Sequence, residues 1–199
     1  MTIGIIGAGG IGLAIARRLA SAGVHAVISN RRGPDSLTQV AREIGPTITA
    51  GSREVAAQAD IVFLAVTWEH HVSALSDLPA WKGRIVVDAM NPIIPPGLSV
   101  ADLGGRTSSE VVADRVPGAR VVKAFNTLTP TVLGSDPHAH GGRRVLVMSG
   151  DDAAAKAEIA KLIDRLGFVA VDLGGLVAGG RLQQFPGGPF PTLNLIKLG

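Results

Sequence analysis

The sequence predicts an α/β fold of the Rossmann type: a doubly wound, mainly parallel sheet with helices on both faces and a short C-terminal appendage. Three observations support this prediction. Apolar runs alternate with amphipathic segments along most of the 199 residues, as in successive βαβ units. The run at 61–66 is apolar without alternation, which is typical of a parallel strand covered on both faces. A glycine-rich turn at 7–12 follows the first apolar run and begins the first amphipathic segment.

The first βαβ unit occupies about thirty residues. The segment at 2–6 is rich in β-forming residues, and the segment at 13–20 carries its apolar residues on one helical face. Gly23 follows this helix as a C-terminal glycine should, and 25–29 forms the second strand.

Hydrophobic periodicity assigns the remaining elements in the same way. Predicted helices, the second of them capped by Ser52, lie at 36–44, 52–59, 68–78, 109–116 and 152–166. Predicted strands lie at 47–49, 60–66, 84–90, 120–125, 144–148 and 168–172. We therefore expect residues 1–172 to form a Rossmann domain. The tail at 173–199, which is rich in Gly and Pro, is expected to contribute to a substrate pocket or a dimer contact.

Composition excludes several classes of site. The chain has no Cys, which excludes disulfides and thiolate nucleophiles, and it has no Tyr, which excludes a phenolic acid. None of the five His residues pairs with a carboxylate at the spacing of a metal site, so we predict no metal. No acid–base constellation is recognisable, and we assign no catalytic residue.

Charge and hydropathy narrow the range of partners. The longest apolar run is far shorter than the roughly 20 residues of a membrane-spanning helix, and no basic residue precedes Arg17 as it would in a signal peptide. We therefore expect a cytoplasmic chain without a membrane partner. Basic residues occur singly or in pairs, aromatic residues make up 4%, and the net charge is +3. This pattern indicates a small anionic ligand and not a nucleic acid.

The glycine-rich turn indicates a dinucleotide site because it lies between a strand and a helix. In such a turn Gly7 permits the tight bend, Gly9 lets the backbone approach a pyrophosphate, and Gly12 allows close packing of helix and strand. The first amides of the helix then point at the phosphates. The predicted pyrophosphate site consists of Gly7, Ala8, Gly9, Gly10, Ile11 and Gly12.

The end of the second predicted strand favours NADP(H) over NAD(H). A carboxylate about 20 residues beyond the glycines would accept the ribose 2′-hydroxyl of NAD. This chain has Ser29-Asn30-Arg31-Arg32 there, and two guanidiniums can bind a 2′-phosphate. Arg31 is our first choice for the phosphate, and Arg32 is expected to stack on the adenine. The alternative interpretation is a solvated basic turn.

Ligands of doubly wound sheets bind beyond the carboxyl ends of the strands. This rule adds eight predicted cofactor contacts, which are Ala65, Val66, Thr67, Asn91, Pro92, Ala124, Phe125 and Asn126. The sequence context of Trp68 is equally compatible with a core residue and with a pocket residue. That of Lys123 is compatible with a solvated strand residue and with a ligand contact.

Seven segments spread over nearly the whole chain carry a resemblance to a known family. They lie at 7–12, 30–34, 68–70, 88–92, 121–127, 149–152 and 180–182. The Lys-Ala-Phe-Asn-Thr run at 123–127 and the Gly-Asp-Asp step at 150–152 are more specific than the glycine turn. In these segments the sequence resembles the F420H2:NADP oxidoreductases, which are NADPH-dependent reductases of the deazaflavin coenzyme F420. It is also similar to the NADPH-binding domains of membrane ferric reductases.

The resemblance implies hydride transfer between nicotinamide C4 of NADPH and deazaflavin C5 of F420, in a homodimer. Hydride transfer between two bound rings needs positioning more than acid–base groups. The resemblance also implies a substrate site that includes Trp68, Lys123, Thr127 and Arg181, of which the two basic residues would meet the anionic F420 tail.

The sequence departs from the family at two points near this predicted substrate site. Thr67 stands where the family often has Pro, and the tail is unusually rich in Pro. Two alternative functions remain open: an NADPH:flavin or ferric reductase, and a non-catalytic NADP(H)-binding sensor.

Overall fold

A ten-stranded sheet forms the centre of the structure, a computed structural model that describes residues 1–199. Together with a separate two-stranded hairpin, the strands are β1 (Ile3–Ile6), β2 (Ala26–Ser29), β3 (Ile48–Ala50), β4 (Ile61–Leu64), β5 (Ile85–Asp88), β6 (Ile93–Ile94), β7 (Ser99–Val100), β8 (Arg120–Ala124), β9 (His138–Ala139), β10 (Gly142–Gly150), β11 (Val169–Asp172) and β12 (Ile196–Leu198). The main path runs β3-β2-β1-β4-β5-β8-β10-β11. Its strand order reverses between β1 and β4, which confirms the predicted Rossmann fold class.

The sheet is mainly parallel, as predicted, but one edge is antiparallel. The strands from β3 to β8 along the path are parallel to one another. By contrast, β10 runs antiparallel to β8, with Met148 opposite Ala124, and β11 is parallel to β10. The direction reverses because β9 and β10 form an antiparallel pair, with His138 opposite Arg143. The first part of β10 also pairs with β12, so β10 is longer than the predicted strand at 144–148.

Helices cover both faces of this sheet. They are α1 (Gly10–Ser21), α2 (Thr38–Ile44), α3 (Arg53–Ala56), α4 (His71–Leu75), α5 (Ser108–Arg115), α6 (Pro130–Gly134), α7 (Ala153–Arg165) and α8 (Leu176–Gln183). One face forms a core of 30 buried residues that includes Ile15 and Ile159, and the other forms a core of 16 that includes Val112 and Leu176. All four residues of β4 are buried between them, which explains its unbroken apolar run. None of the helices has the length and apolar character needed to span a bilayer.

The predicted helix at 68–78 is shorter than expected. Residues Trp68–His70 form a 3₁₀ turn, and α4 ends at Leu75. The helix ends there because Ser76 is extended and Asp77 has a φ of 57°, outside the right-handed helical region.

The tail contains a helix and a strand that the sequence analysis does not predict. Helix α8 buries Leu176, Gly179, Gly180 and Gln183, which recur at i, i+3, i+4 and i+7. A Cβ on Gly179 would lie 2.4 Å from Cβ of Ser149, so glycine lets α8 pack directly against β10. Glycine is also a poor helix former, which hides this helix from periodicity arguments. The division of the chain at residue 173 stays a prediction.

A reciprocal cap begins α5. The Thr107 hydroxyl accepts from the Glu110 amide, and the Glu110 carboxylate accepts from the Thr107 amide at 2.8 Å. This amide is the main reason why the pKa of Glu110 lies below its ordinary value of 4.5. A carboxyl with a lowered pKa contributes stability above its unfolded pKa and loses that contribution as the pH falls through its folded pKa.

Glu110→Ala is therefore expected to lower the free energy of unfolding by about 0.5–1 kcal/mol near neutral pH. Urea unfolding at a series of pH values measures this difference, which should shrink as the pH falls below 4.5. Glu43→Ala removes a carboxylate from exposed α2 and serves as the charge-matched control. A difference that stayed constant into acid would contradict the assignment.

Candidate functional site

The carboxyl ends of β1, β2, β4 and β5 open into a cleft with a volume of about 990 Å³. The cleft lies at the point where strand order reverses between β1 and β4. Open α/β sheets bind their ligands at this place, because the loops that follow neighbouring strands diverge to opposite faces there.

The turn between β1 and α1 is folded by glycines that have no room for a side chain. Gly7 has a φ of 115°, and a Cβ there would lie 2.3 Å from the carbonyl oxygen of Ala65. A Cβ on Gly12 would lie 2.0 Å from the carbonyl oxygen of Gly7. These contacts explain why β1 and α1 pack so closely and why the turn is tight.

Gly9 differs from both of these glycines, because a Cβ there would meet no protein atom within 4 Å. It lines the cleft and precedes the first residue of α1. The helix has no side-chain cap and no acidic residue in its first turn, so its first amides have no acceptor from a side chain. Free space beside uncapped helix amides is the arrangement that a pyrophosphate requires.

The loop after β2 presents two guanidiniums to the same cleft. The side-chain oxygen of Asn30 accepts from the Arg32 amide at 2.9 Å and from the Ser36 hydroxyl at 3.2 Å, which fixes the loop. Arg31 and Arg32 are exposed cleft residues whose guanidiniums form no ion pair and no hydrogen bond within the chain. The buried Ser29 hydroxyl donates to the carbonyl of Ile5, so it ties β2 to β1.

No carboxylate occupies the end of β2. Glu54 also lines the cleft, but its carboxylate is 3.3 Å from Nε of Arg53. The pKa of Glu54 is lowered, mainly by a backbone hydrogen bond at the start of α3. The local charge available to a ligand at this end is therefore that of Arg31 and Arg32.

The family of this chain follows from comparison with known proteins. The family model described as NADP oxidoreductase, coenzyme F420-dependent, matches residues 2–92. A protein from Arthrobacter sp. FB24 described as a candidate F420-dependent NADP reductase is 29% identical, with a TM-score of 0.77 over 88% of this chain and 86% of that one. Residues 2–92 therefore form a domain of the F420-dependent NADP oxidoreductase family.

Two further relatives are similar to this chain over nearly its whole length. A hypothetical protein from Sinorhizobium meliloti is 48% identical, with a TM-score of 0.94, and the match covers 99% of this chain and 96% of that one. Metalloreductase STEAP3 from Rattus norvegicus is 28% identical over 190 residues, which is 92% of this chain. The chain spans only 36% of the length of that metalloreductase.

The cleft brings together fourteen of the residues that the sequence predicts for its site. They are Gly7, Ala8, Gly9, Gly10, Ile11, Ser29, Asn30, Arg31, Arg32, Ala65, Val66, Thr67, Trp68 and Asn91. Trp68 serves both of its proposed environments, since it is only 7% exposed, stacks on His71 and still borders the cleft.

Eight predicted site residues lie outside the cleft, and their roles in ligand binding stay predictions. They are Gly12, Pro92, Lys123, Ala124, Phe125, Asn126, Thr127 and Arg181. Gly12 packs α1 against the turn, and Phe125 packs edge-to-face on Phe63 with ring centroids 5.1 Å apart. Ala124 is fully buried, and Pro92 and Thr127 accept backbone hydrogen bonds from Ala101 and Thr192.

The two basic residues that the resemblance assigns to the anionic tail of F420 lie in different environments. Lys123 is fully buried and ion-paired with Asp88, so its ammonium cannot meet a ligand in the cleft. Arg181 is exposed on α8, where its guanidinium donates to the carbonyl of Gly105 at 3.3 Å.

Several cleft residues were missed by the sequence analysis. They are Ile6, Gly33, Ser52, Arg53, Glu54, Glu69, His70, Ser73, Ala74, Ile93 and Pro95. His70 places Nδ1 2.7 Å from the Thr67 hydroxyl and 3.5 Å from a Glu69 carboxylate oxygen. The segment 68–70 belongs to the motifs that carry the family resemblance, which is the one signal that could have pointed to His70.

Hydrogen bonds from the interior of the protein hold the side-chain amide of Asn91 in place. Asn126 donates to the side-chain oxygen of Asn91 at 2.9 Å, and Asn91 donates to the carbonyl of Asn126 at 3.0 Å. Asn126 also donates to the carbonyl of Gln183 at 2.7 Å, and the Phe185 amide donates to Asn91 at 3.3 Å. The tail of the chain therefore holds a residue that lines the cleft, although the tail itself does not line it.

Proposed function

We propose that this oxidoreductase transfers hydride between NADPH and the deazaflavin coenzyme F420. The observation that carries the proposal is the combination, in one cleft, of free space at Gly9 with the unpaired guanidiniums of Arg31 and Arg32. The choice of F420 is supported by the family of the domain at 2–92 and by the name of the Arthrobacter protein.

The residues along the cleft fit the parts of NADP(H) in order. The amides at 9–11 would bind the pyrophosphate, because they belong to the uncapped first turn of α1. Arg31 would bind the 2′-phosphate, and Arg32 would stack on the adenine. The nicotinamide end would then lie toward Thr67 and Asn91, at the ends of β4 and β5.

When bound, NADPH supplies a hydride from C4 of its nicotinamide to C5 of the deazaflavin ring. The residues of the chain need only orient the two rings and exclude water, which is consistent with the lack of an acid–base constellation. Trp68, Met90 and Ile93 give this end of the cleft an apolar wall, and hydrogen bonds hold the side-chain amide of Asn91 in place.

An NADPH:flavin or ferric reductase is the second candidate. The similarity to Metalloreductase STEAP3 over 92% of this chain favours it. A sensor that binds NADP(H) without turnover would use the same cleft and the same phosphate contacts.

One assay separates these functions. The protein is mixed with NADPH and oxidised F420, and in parallel with NADPH and free FMN or a ferric chelate. We expect loss of the deazaflavin absorbance with equimolar NADPH oxidation. Turnover with FMN or iron alone would favour the second candidate, and NADPH binding without any turnover would favour the sensor. Protein with Arg31→Ala, assayed at the same NADPH concentration, controls for reduction by trace contaminants.

We also propose that the tail at 173–199 contributes to the substrate pocket through its contacts with Asn91 and Asn126. A homodimer is proposed from the family resemblance. The exposed apolar side chains of Ile94, Leu98 and Val100 on the β6–β7 hairpin supply a surface that a second copy could cover. Light scattering should then give a mass close to twice the 20.4 kDa of the chain.

A further inference from the structure

Two charged residues lie in contact in the interior of the sheet. Lys123 of β8 is opposite Asp88 of the parallel strand β5, and their side chains are 1% and 0% exposed. The distance between Lys123 Nζ and Asp88 Oδ2 is 3.1 Å. Neither side chain lines the cleft, so the pair does not contact a ligand there.

This ion pair binds both backbone polar groups of a single residue, Met90. Asp88 Oδ1 accepts from the Met90 amide at 3.0 Å, and Lys123 Nζ donates to the Met90 carbonyl. The peptide units on both sides of Met90 are therefore held from inside the sheet. Met90 and Asn91 line the cleft at the proposed nicotinamide end.

The remaining hydrogen bonds of the pair go to the start of α5. The Ser109 hydroxyl donates to Asp88 Oδ2 at 2.6 Å, and the Ser108 hydroxyl accepts from Lys123 Nζ at 3.3 Å. The ammonium thus uses three acceptors, Asp88, Met90 and Ser108, which equals its number of N–H donors. The cluster is complete without any ligand.

Stability alone does not account for a charged pair at this position. A buried ion pair is on average no more stabilising than well-packed apolar residues of similar volume. Burial also lowers the pKa of Lys123, against the opposing effect of Asp88. The next register pair of the same strands, Val87 and Val122, is apolar and fully buried. Unlike an apolar pair, the charged pair can form hydrogen bonds with the amide and the carbonyl of Met90.

We infer that Lys123 and Asp88 are positioning residues that fix the Met90–Asn91 turn, and with it the nicotinamide end of the cleft. The inference rests on the proposed function only in taking the cleft as the NADP(H) site. Loss of the pair should disturb the nicotinamide end and leave the adenosine end, formed by other loops, as it was.

The test compares two probes in the double variant Lys123→Met/Asp88→Asn, which removes both charges and avoids an unpaired buried ion. Adenosine 2′,5′-bisphosphate reports on the adenosine end, and NADPH reports on the whole cleft. We expect the Kd of NADPH to rise by at least about fivefold while that of the bisphosphate changes by less than about twofold, because only the first probe reaches the turn. The fluorescence of bound NADPH should also shift toward that of the free molecule.

Lys156→Met/Asp172→Asn is the matched control, because it removes an ion pair of the same residue types between α7 and β11, 2.9 Å apart. It should leave both probes unchanged. If the double variant fails to fold, Ser109→Ala, which removes one hydrogen bond to Asp88 and keeps the ion pair, should give a smaller change in the same direction. Equal changes for both probes, or no change for either, would overturn the inference. A wild-type protein that bound neither probe would instead overturn the proposed NADP(H) site, and this inference with it.

Discussion

Arg31→Ala is expected to weaken NADPH binding by at least about tenfold and to leave NADH binding nearly unchanged. A hydrogen bond to a charged group contributes about 1.5–3 kcal/mol, and about 1.4 kcal/mol corresponds to a factor of ten in affinity. NADH lacks the 2′-phosphate, so it has no group for this guanidinium to bind. Because the guanidiniums of Arg31 and Arg32 form no contacts within the chain, the substitution should not change stability. Isothermal titration with each cofactor at one fixed ionic strength measures both affinities.

Arg165→Ala provides the control for this experiment, because it removes one positive charge from the exposed carboxyl end of α7. It should weaken NADPH binding only through the net charge, and this effect should disappear at high salt. The double variant Arg31→Ala/Arg32→Ala should lose more NADPH affinity than the single variant. Equal losses for NADPH and NADH would show that Arg31 does not bind the phosphate.

The first part of the fold and the glycine turn that borders the cleft could be predicted from sequence because their signals are local. The turn at 7–12 contains its own steric requirements, so Gly7 and Gly12 occupy the close contacts that the motif predicts. The absence of an acid after β2 is likewise visible in the sequence itself. These predictions needed no knowledge of which distant segments come into contact.

The rest depended on contacts between distant segments. Lys123 follows two valines in a strand, and alone it is compatible with solvent or with a ligand. Only the pairing of β5 with β8 places it beside Asp88, 35 residues earlier in the chain. A usable signal was present, since Asp88 ends the apolar strand β5 and Lys123 follows two buried valines in β8. Buried charges are almost always paired, which would have predicted their contact.

Helix α8 of the tail could not be predicted from the sequence for a related reason. The buried face of α8 consists partly of glycines and Gln183, so apolar periodicity does not mark it. Gln183 is fully buried because it donates to the carbonyls of Lys123 and Val147 and accepts from the Ser149 hydroxyl at 2.7 Å. Its burial depends on partners from β8 and β10, which the sequence pattern does not bring together.

Gly9→Val is expected to abolish most binding of NADPH and NADH alike, with a loss of at least about a hundredfold, or about 2.8 kcal/mol. The backbone of Gly9 is extended, with a φ of −82° and a ψ of −168°, so valine can adopt it. A Cβ there meets no protein atom within 4 Å, so the added methyl groups would extend into the space proposed for the pyrophosphate. The free energy of unfolding should fall by no more than about 1 kcal/mol, the cost of a poorer N-cap.

Gly12→Ala gives the contrasting result from the same turn. Its Cβ would lie 2.0 Å from the Gly7 carbonyl oxygen, so β1 and α1 must move apart and the melting temperature should fall sharply. Thermal unfolding and cofactor titration of both variants would separate a steric block in the cleft from damage to the fold. Wild-type affinity in Gly9→Val would mean that the phosphates pass elsewhere, because no chain atom fills the space beside Gly9 and only a ligand could compete with the new side chain.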